Sequence, residues 1–350
     1  MKRFFSIFLI IVMALTLVSC SNEAKKSTVP VSGAPAQQAE NSSPAKKDDG
    51  KKIVGFLTAT VSSLPLQVET SSFEKKAKEM GADEVIILSA EDSVETQINQ
   101  MRDLITRGCD AIAIYTCDSD GIVPGVKAAN AAGIPIIAVD RAINGGDIYY
   151  TIESNNIGDG RDIANHFGYM TAGEPEGSVE ILNLIGNLSS IAQRERAEGF
   201  TAAAANLPQL KIVGEPATEA DTEKTYNAVV DSFKTNPNIR GIVVAMDYLC
   251  GPVTNALKEI GKFYPAGDPK HVMLGGVDGG TEALQWLQGG DIDVSISLDF
   301  EKFGSMAAVS AMDYLDGKYV TNNKFQTASF ICTRENVDQM AKNKLLWGLR

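Results

Sequence analysis

From residue 53 onward, short apolar runs alternate with segments of helical period. The runs predict strands at Ile53–Ala59, Glu84–Leu88, Ala111–Thr116, Pro135–Val139 and Tyr149–Ile152. Further runs predict strands at Val179–Ile185, Ile212–Glu215, Gly241–Met246, Val272–Val277, Val294–Leu298 and Thr327–Ile331. Between them apolar positions recur every three to four residues, as at Val94, Ile98, Met101, Leu104 and Ile105, the pattern of helices with one buried face. Strands apolar on both faces, alternating with helices, form parallel sheets covered on both sides. The predicted class is α/β.

The pattern also echoes itself. Asp110–Asp140 and Gly241–Asp278 share one order: apolar strand, helix opened by glycine, glycine stop, apolar strand, then Val-Asp. Two copies of one βαβ unit predict two similar lobes. In open parallel sheets ligands bind outside the carboxyl ends of the strands, so Asp140 and Asp278 mark where each lobe presents a site. A ligand held between facing lobes touches both.

Length and charge narrow the picture. The chain has 350 residues, 44% of them hydrophobic, enough for two domains with cores of their own. A formal net charge of -12 argues against nucleic acid or an anionic membrane surface as a partner. At the N-terminus, Met1-Lys-Arg precedes the apolar run Phe4–Val18 and the segment Leu17-Val-Ser-Cys20. This resembles a bacterial lipoprotein signal, with residues 1–19 removed and Cys20 lipidated. The alternative is an uncleaved transmembrane anchor, for which the run is shorter than the ~20 residues a span needs. Either reading places the rest of the chain outside the cytoplasm. Residues 20–52 are rich in Ser, Ala, Pro, Gln, Lys and Asp and poor in apolar side chains, which describes a tether with a reach of about 30 Å.

Beyond Cys20 stand Cys109, Cys117, Cys250 and Cys332. Cys109 and Cys117 bracket a predicted strand whose length at ~3.3 Å per residue exceeds the reach of a disulfide. All four are read as buried thiols, with a Cys250–Cys332 bridge as the alternative.

Enzyme signatures are missing. The two histidines, His166 and His271, form no HExxH or other metal-ligand spacing, and neither GxSxG nor GxxxxGK[ST] occurs. "GGVDGG" at Gly275–Gly280 has the wrong spacing for GxGxxG and reads as a strand-to-helix turn. What remains at strand ends is Asp140, Arg141, Asp247 and Asp278. To these we add Arg194, a cation near a helix start, where it is electrostatically unfavourable and so answers to a carboxylate or a ligand. Glu195 and Arg196 read as a solvated face. Carboxylates accepting from hydroxyls and guanidinium forks donating to ring or hydroxyl oxygens suit a neutral polyol.

"IPIIAVDR" (134–141), "RERAEGF" (194–200) and "GGVDG" (275–279), in this order, resemble the ribose- and galactose-type substrate-binding proteins of bacterial ABC importers. The resemblance implies the type I periplasmic binding protein fold: two Rossmann-like lobes joined by three crossings and closing over a sugar. It implies an N-terminal lobe of 53–154 plus 299–326 and a C-terminal lobe of 155–298 plus 327–350. The hinge then falls at Ser154 and Asn155, at Leu298 and Asp299, and at Phe325–Thr327. By matching position, Asp140 and Arg141 are the first-lobe pair that binds sugar hydroxyls, and Arg194 and Asp278 their second-lobe counterparts, with Asp247 nearby.

The chain departs from ribose binders around these anchors. Ser62-Ser-Leu-Pro-Leu-Gln67 replaces a loop that carries an Asn and two Phe, so Ser62, Ser63, Leu66 and Gln67 line that side instead. Ala220 stands for a Phe, Met246 for an Asn and Leu298 for a hinge Gln. The expected ligand is a less hydroxylated or differently shaped carbohydrate, such as a deoxy sugar, with Tyr248 or Tyr115 as ring contact. No enzyme activity and no cofactor or metal is implied. The expected partner is an ABC permease, with presentation to a chemoreceptor or sensor kinase as the alternative.

Overall fold

The computed structural model describes residues 50–318, 322–343 and 346–347. The signal segment, Cys20 and most of the tether lie outside the described residues. Twelve strands, ten α-helices and one short 3-10 helix (Asp247–Leu249) are described. The first lobe opens with β1 (Ile53–Thr58), α1 (Leu64–Glu79), β2 (Glu84–Ser89), α2 (Val94–Thr106), β3 (Ala111–Ile114), α3 (Val123–Ala131), β4 (Ile136–Val139) and β5 (Tyr150–Glu153). The chain then forms α4 (Asn156–Met170), β6 (Val179–Leu184), α5 (Ile191–Ala204), β7 (Leu210–Gly214), α6 (Thr222–Thr235), β8 (Ile239–Val244), α7 (Cys250–Glu259), β9 (Met273–Asp278), α8 (Thr281–Gly289) and β10 (Val294–Ser297). It ends with α9 (Phe300–Leu315), β11 (Lys324–Gln326), β12 (Phe330–Thr333) and α10 (Val337–Lys342).

The strands form two six-stranded sheets of matching order, β11-β5-β4-β3-β1-β2 and β12-β10-β9-β8-β6-β7. All pairs are parallel except β10 with β12. The molecule is thus two α/β lobes, as the repeated pattern predicts. The apolar runs became central strands because both faces are covered: β3 and β4 are buried at every position. A core that includes Phe56, Phe73, Phe167 and Phe200 runs from one lobe to the other through Leu298, Phe300 and Trp347.

Differences from the sequence reading have local causes. The run predicted as a strand over Thr327–Ile331 is divided, because β11 ends at Gln326 in the first sheet and β12 begins at Phe330 in the second. Residues 327–329 carry the chain across. Cys250 and Cys332 are free and buried, so the alternative of a bridge fails, and Cys117 is half-buried rather than buried. No helix among the described residues is long and apolar enough to cross a membrane.

The lobes repeat in detail. Two crossings end in helix caps of similar backbone: Asn155 (φ -82, ψ 71) accepts from Gly158 N–H before α4, and Asp299 (φ -107, ψ 79) accepts from Lys302 N–H before α9. The fifth residue of each of these helices is a glycine with no room for a Cβ. A Cβ on Gly160 would lie 1.9 Å from the Arg196 carbonyl of α5, and one on Gly304 1.9 Å from the Glu69 carbonyl of α1. Glu69 and Arg196 are each the sixth residue of their helix, counted from Leu64 and Ile191. They are therefore equivalent positions of the two lobes.

Candidate functional site

The carboxyl ends of both sheets carry the charged groups. Asp140 follows β4 and Asp278 ends β9, and both have backbone in the positive range, φ 59 and φ 128. Left-handed backbone is disfavoured by about 1–2 kcal/mol for a residue with a Cβ, and it persists where surroundings dictate it. Asp140 is held by its N–H donating to Ile152 O at 2.6 Å. The Asp278 carbonyl accepts from Leu298 N–H at 3.1 Å and from Trp347 Nε1–H at 2.7 Å.

Arg141 is buried and its guanidinium is committed to the protein. It donates to Thr116 O at 2.9 Å, to Cys117 O at 2.7 Å and to the Tyr115 hydroxyl at 2.9 Å, with its Cζ 4.8 Å from the Tyr115 ring centre. Asp140 beside it is also buried, and its Oδ1 has no protein partner. Burial raises the Asp140 carboxyl to about 6, against the lowering pull of Arg196 and Arg141. The Tyr115 hydroxyl is likewise raised, first by burial.

In the second lobe the arginine facing Asp278 is Arg196. The expectation of a solvated face at Arg196 is overturned: it is buried, donates to Asn156 Oδ1 at 3.1 Å and to Ala245 O at 2.9 Å, and stands 3.5 Å from Asp278 Oδ1. The cause is helical geometry. Arg196 shares the inward face of α5 with Ala192, Gln193, Gly199 and Phe200, whereas Arg194, two residues earlier, points elsewhere. Arg194 is half-buried and donates to the Leu188 carbonyl. Burial raises the Asp278 carboxyl well above the usual range, Arg196 opposes this, and Asp247 and Asp140 add to it.

Asp247 is buried and braces the turn that presents Asp278. Its Oδ2 accepts from Gly279 N–H at 2.6 Å and from Ser295 Oγ–H at 2.7 Å. Burial still lifts its carboxyl to about 6. Met246 Sδ accepts from Gln193 Nε2–H at 3.6 Å, and Leu298 is buried in the core between the lobes. Ala220, with φ 57, offers its carbonyl to the Tyr248 hydroxyl at 2.6 Å. Burial raises Tyr248, and Asp278 and Asp92 raise it further.

On the first-lobe rim, Leu66 is buried and Ser63 precedes α1 without a side-chain cap bond. Ser62 Oγ pairs with Thr60 Oγ1 at 2.9 Å. Gln67 turns away: it donates to Val61 O at 2.7 Å and lines, with Asp299 and Lys302, a separate groove of about 660 Å³ between α1 and α9. At the crossings Ser154 Oγ meets Asn156 Oδ1 at 2.9 Å, and Thr327 N–H donates to Glu153 O at 2.9 Å. The lips of the cleft touch, Ser119 N–H of the first lobe lying 3.3 Å from Ser189 O of the second.

Sequence reading missed Glu69. It is fully buried on the inward face of α1, both its oxygens lack a protein partner, and it senses the charges of Asp140, Asp278 and Arg141. The signal was available, because the apolar face Leu66, Thr70, Phe73 and Ala77 runs directly over position 69. Of the other unpartnered buried atoms, Ser119 Oγ and Asp140 Oδ1 in the first lobe and Ser190 Oγ, Asp247 Oδ1 and Ser297 Oγ in the second stand at the same strand ends, while those of Asp159, Thr327, Ser329, Gln100 and Arg240 lie elsewhere. Buried polar groups nearly always find partners, so this concentration describes a site built to receive a polar molecule. Among the described residues no cluster of His, Cys, Asp or Glu is arranged to hold a metal ion.

Known proteins resemble this chain along most of its length. A ribose import binding protein of Bacillus subtilis is 26% identical over 320 residues, 91% of this chain and 95% of the relative. A xylitol-binding protein of Mycolicibacterium smegmatis is 27% identical over 259 residues, 73% of this chain and 70% of the relative. The periplasmic binding protein component of an arabinose ABC transporter from Shewanella sp. ANA-3, solved with α- and β-L-arabinofuranose, superposes with a TM-score of 0.75 at 26% identity, covering 84% of this chain and 95% of that one. A model of the periplasmic binding protein domain matches residues 67–319, and the chain belongs to that family.

Proposed function

We propose that this protein is a non-catalytic, extracytoplasmic solute-binding lipoprotein, anchored through Cys20, that captures a sugar or sugar-like molecule between its lobes and delivers it to an ABC importer. The carrying observation is the set of buried polar atoms without protein partners that both lobes contribute at the carboxyl ends of their sheets. The ligands named for the relatives, ribose, xylitol and arabinofuranose, support the chemical class. In this reading residues 53–154 plus 299–326 move against 155–298 plus 327–350. Ser154, Asn155, Asp299 and Thr327 absorb the rotation. The ligand favours the closed form because only there do Asp140 and Asp278 both reach it. The aliphatic side chains Leu66 and Met246 favour a ligand less hydroxylated than ribose or of a different shape.

The test is calorimetric titration of the soluble domain with sugars and polyols, supported by native mass spectrometry of the purified protein for a retained ligand. Asp140→Ala is expected to weaken binding of whichever compound binds by 10- to 100-fold, as loss of charge-assisted hydrogen bonds of about 1.5–3 kcal/mol each requires. Unchanged affinity removes Asp140 from the site. Deleting the gene is expected to abolish uptake of the bound compound. Normal uptake with loss of a chemotactic or transcriptional response to it assigns the protein to sensing instead.

A further inference from the structure

We infer that the ligand carries a basic nitrogen: an amino-substituted sugar or polyol whose ammonium group sits among the carboxylates of Glu69, Asp140 and Asp278. This deepens the sugar-binding reading and rests on it.

The repeat between the lobes makes the case. At the sixth position of its first helix the second lobe places a cation, Arg196, within 3.5 Å of its strand-end aspartate, Asp278. At the equivalent position the first lobe places an anion, Glu69, whose electrostatic neighbours include its own strand-end aspartate, Asp140. The second lobe is internally balanced there, and the first sets two acids against each other. Arg141 and Arg196 offset this charge only in part and bond neither group: both oxygens of Glu69 and one of Asp140 lack partners, and each side chain is buried. The groups around Glu69 are Asp140 and Arg141 after β4, Tyr115 after β3 and Asp278 after β9.

The two buried arginines are already held by the protein. Arg141 is spent on two carbonyls and the Tyr115 hydroxyl, Arg196 on Asn156, Ala245 and Asp278, and Arg194 donates to the Leu188 carbonyl at the cleft lip. An ammonium group has three donors and no acceptor, which suits the unpartnered oxygens of Glu69 (both) and Asp140 (Oδ1), with Asp278 adding charge nearby. It also cancels the burial penalty that holds Glu69 toward its protonated form. The competing arrangement is a protonated Glu69 that donates to a neutral sugar. The two differ in sign with pH. A cation binds more tightly as the carboxylates ionise, whereas a neutral ligand bound by a protonated Glu69 is released.

The experiment titrates the soluble protein with D-glucosamine, D-galactosamine, D-mannosamine and 1-amino-1-deoxy-D-sorbitol, each beside its neutral parent, glucose, galactose, mannose or sorbitol, together with ribose and xylitol. At least one amine is expected to bind 30-fold or more tightly than its parent, with affinity rising from pH 5 to pH 7. Glu69→Gln is expected to cut that preference at least tenfold. The pH series on the unaltered protein carries the test if the variant does not fold. Binding by neutral compounds in preference to every amine, or affinity that falls over this pH range, overturns the inference and leaves sugar binding standing. Binding by none of the ten compounds overturns both.

Discussion

Asp140 pulls the empty and the filled protein in opposite directions. Its carboxyl is lifted to about 6 in the folded chain by burial, from about 3.9 in an unfolded one. A raised carboxyl contributes stability that is complete below the unfolded value and is lost as pH rises through the folded value. The ligand-free protein therefore loses stability between about pH 4 and pH 6, a loss to which Asp247, also near 6, contributes. Asp140→Asn is expected to remove part of that slope and to raise stability at pH 7 by roughly 1–3 kcal/mol, read from urea unfolding, while weakening ligand binding. Equal stability of variant and parent across pH 4–8 would contradict the burial argument. At this scale the sequence was legible where a charge ends an apolar strand, as at Asp140 and Asp278. Helices were harder to read: the two-residue offset between Arg194 and Arg196 decides which one enters the core, and Glu69 was marked only by its place on the buried face of α1, with no motif to flag it.

Among the elements, the strands could be read almost completely, since buried parallel strands are uniformly apolar and their flanking glycines are unambiguous. The exception, Thr327–Ile331, failed because apolar content cannot say which sheet a residue joins. Asn155 and Asp299 could be named as hinge positions from the resemblance, but their role as helix caps needed the helices behind them to be placed. One element junction has a measurable electrostatic lock. His271, just before β9, bonds through Nδ1 to the Tyr264 carbonyl at 2.8 Å and through Nε2 to Asp293 at 3.0 Å, and Asp293 Oδ2 accepts from Leu274 N–H at 2.8 Å. Burial lowers the imidazole, but the bond and charge of Asp293 outweigh it and the net direction is upward. The stabilisation is therefore complete below about pH 6.5, the unfolded value, and is lost as pH rises through the higher folded value. His271→Gln is expected to destabilise by about 1–3 kcal/mol at pH 6, with the gap to the parent shrinking by pH 9 in thermal or urea melts. A gap that widens with pH would show that the neutral ring is the one the fold prefers.

For the whole molecule, the repeat that predicted two lobes also explains why they differ. Matching sheets, matching crossings and matching helix-to-glycine contacts give each lobe the same frame, and the opposite charges of Glu69 and Arg196 make the two inner faces unlike. One tryptophan sits where the lobes meet. Trp347 donates its indole N–H to the Asp278 carbonyl in the second lobe and packs edge-on against Phe300 of the first, with ring centres 5.0 Å apart. The other, Trp286, is partly buried and packs against the second-lobe core. Any rotation of the lobes thus alters the surroundings of Trp347 and leaves those of Trp286 in place. In a Trp286→Phe background, ligand is expected to shift or quench the remaining emission, and an unchanged spectrum at saturating ligand would argue that the lobes do not rotate about this point. The protein thereby carries its own optical gauge, and stopped-flow mixing could time the capture and release of an unlabelled solute.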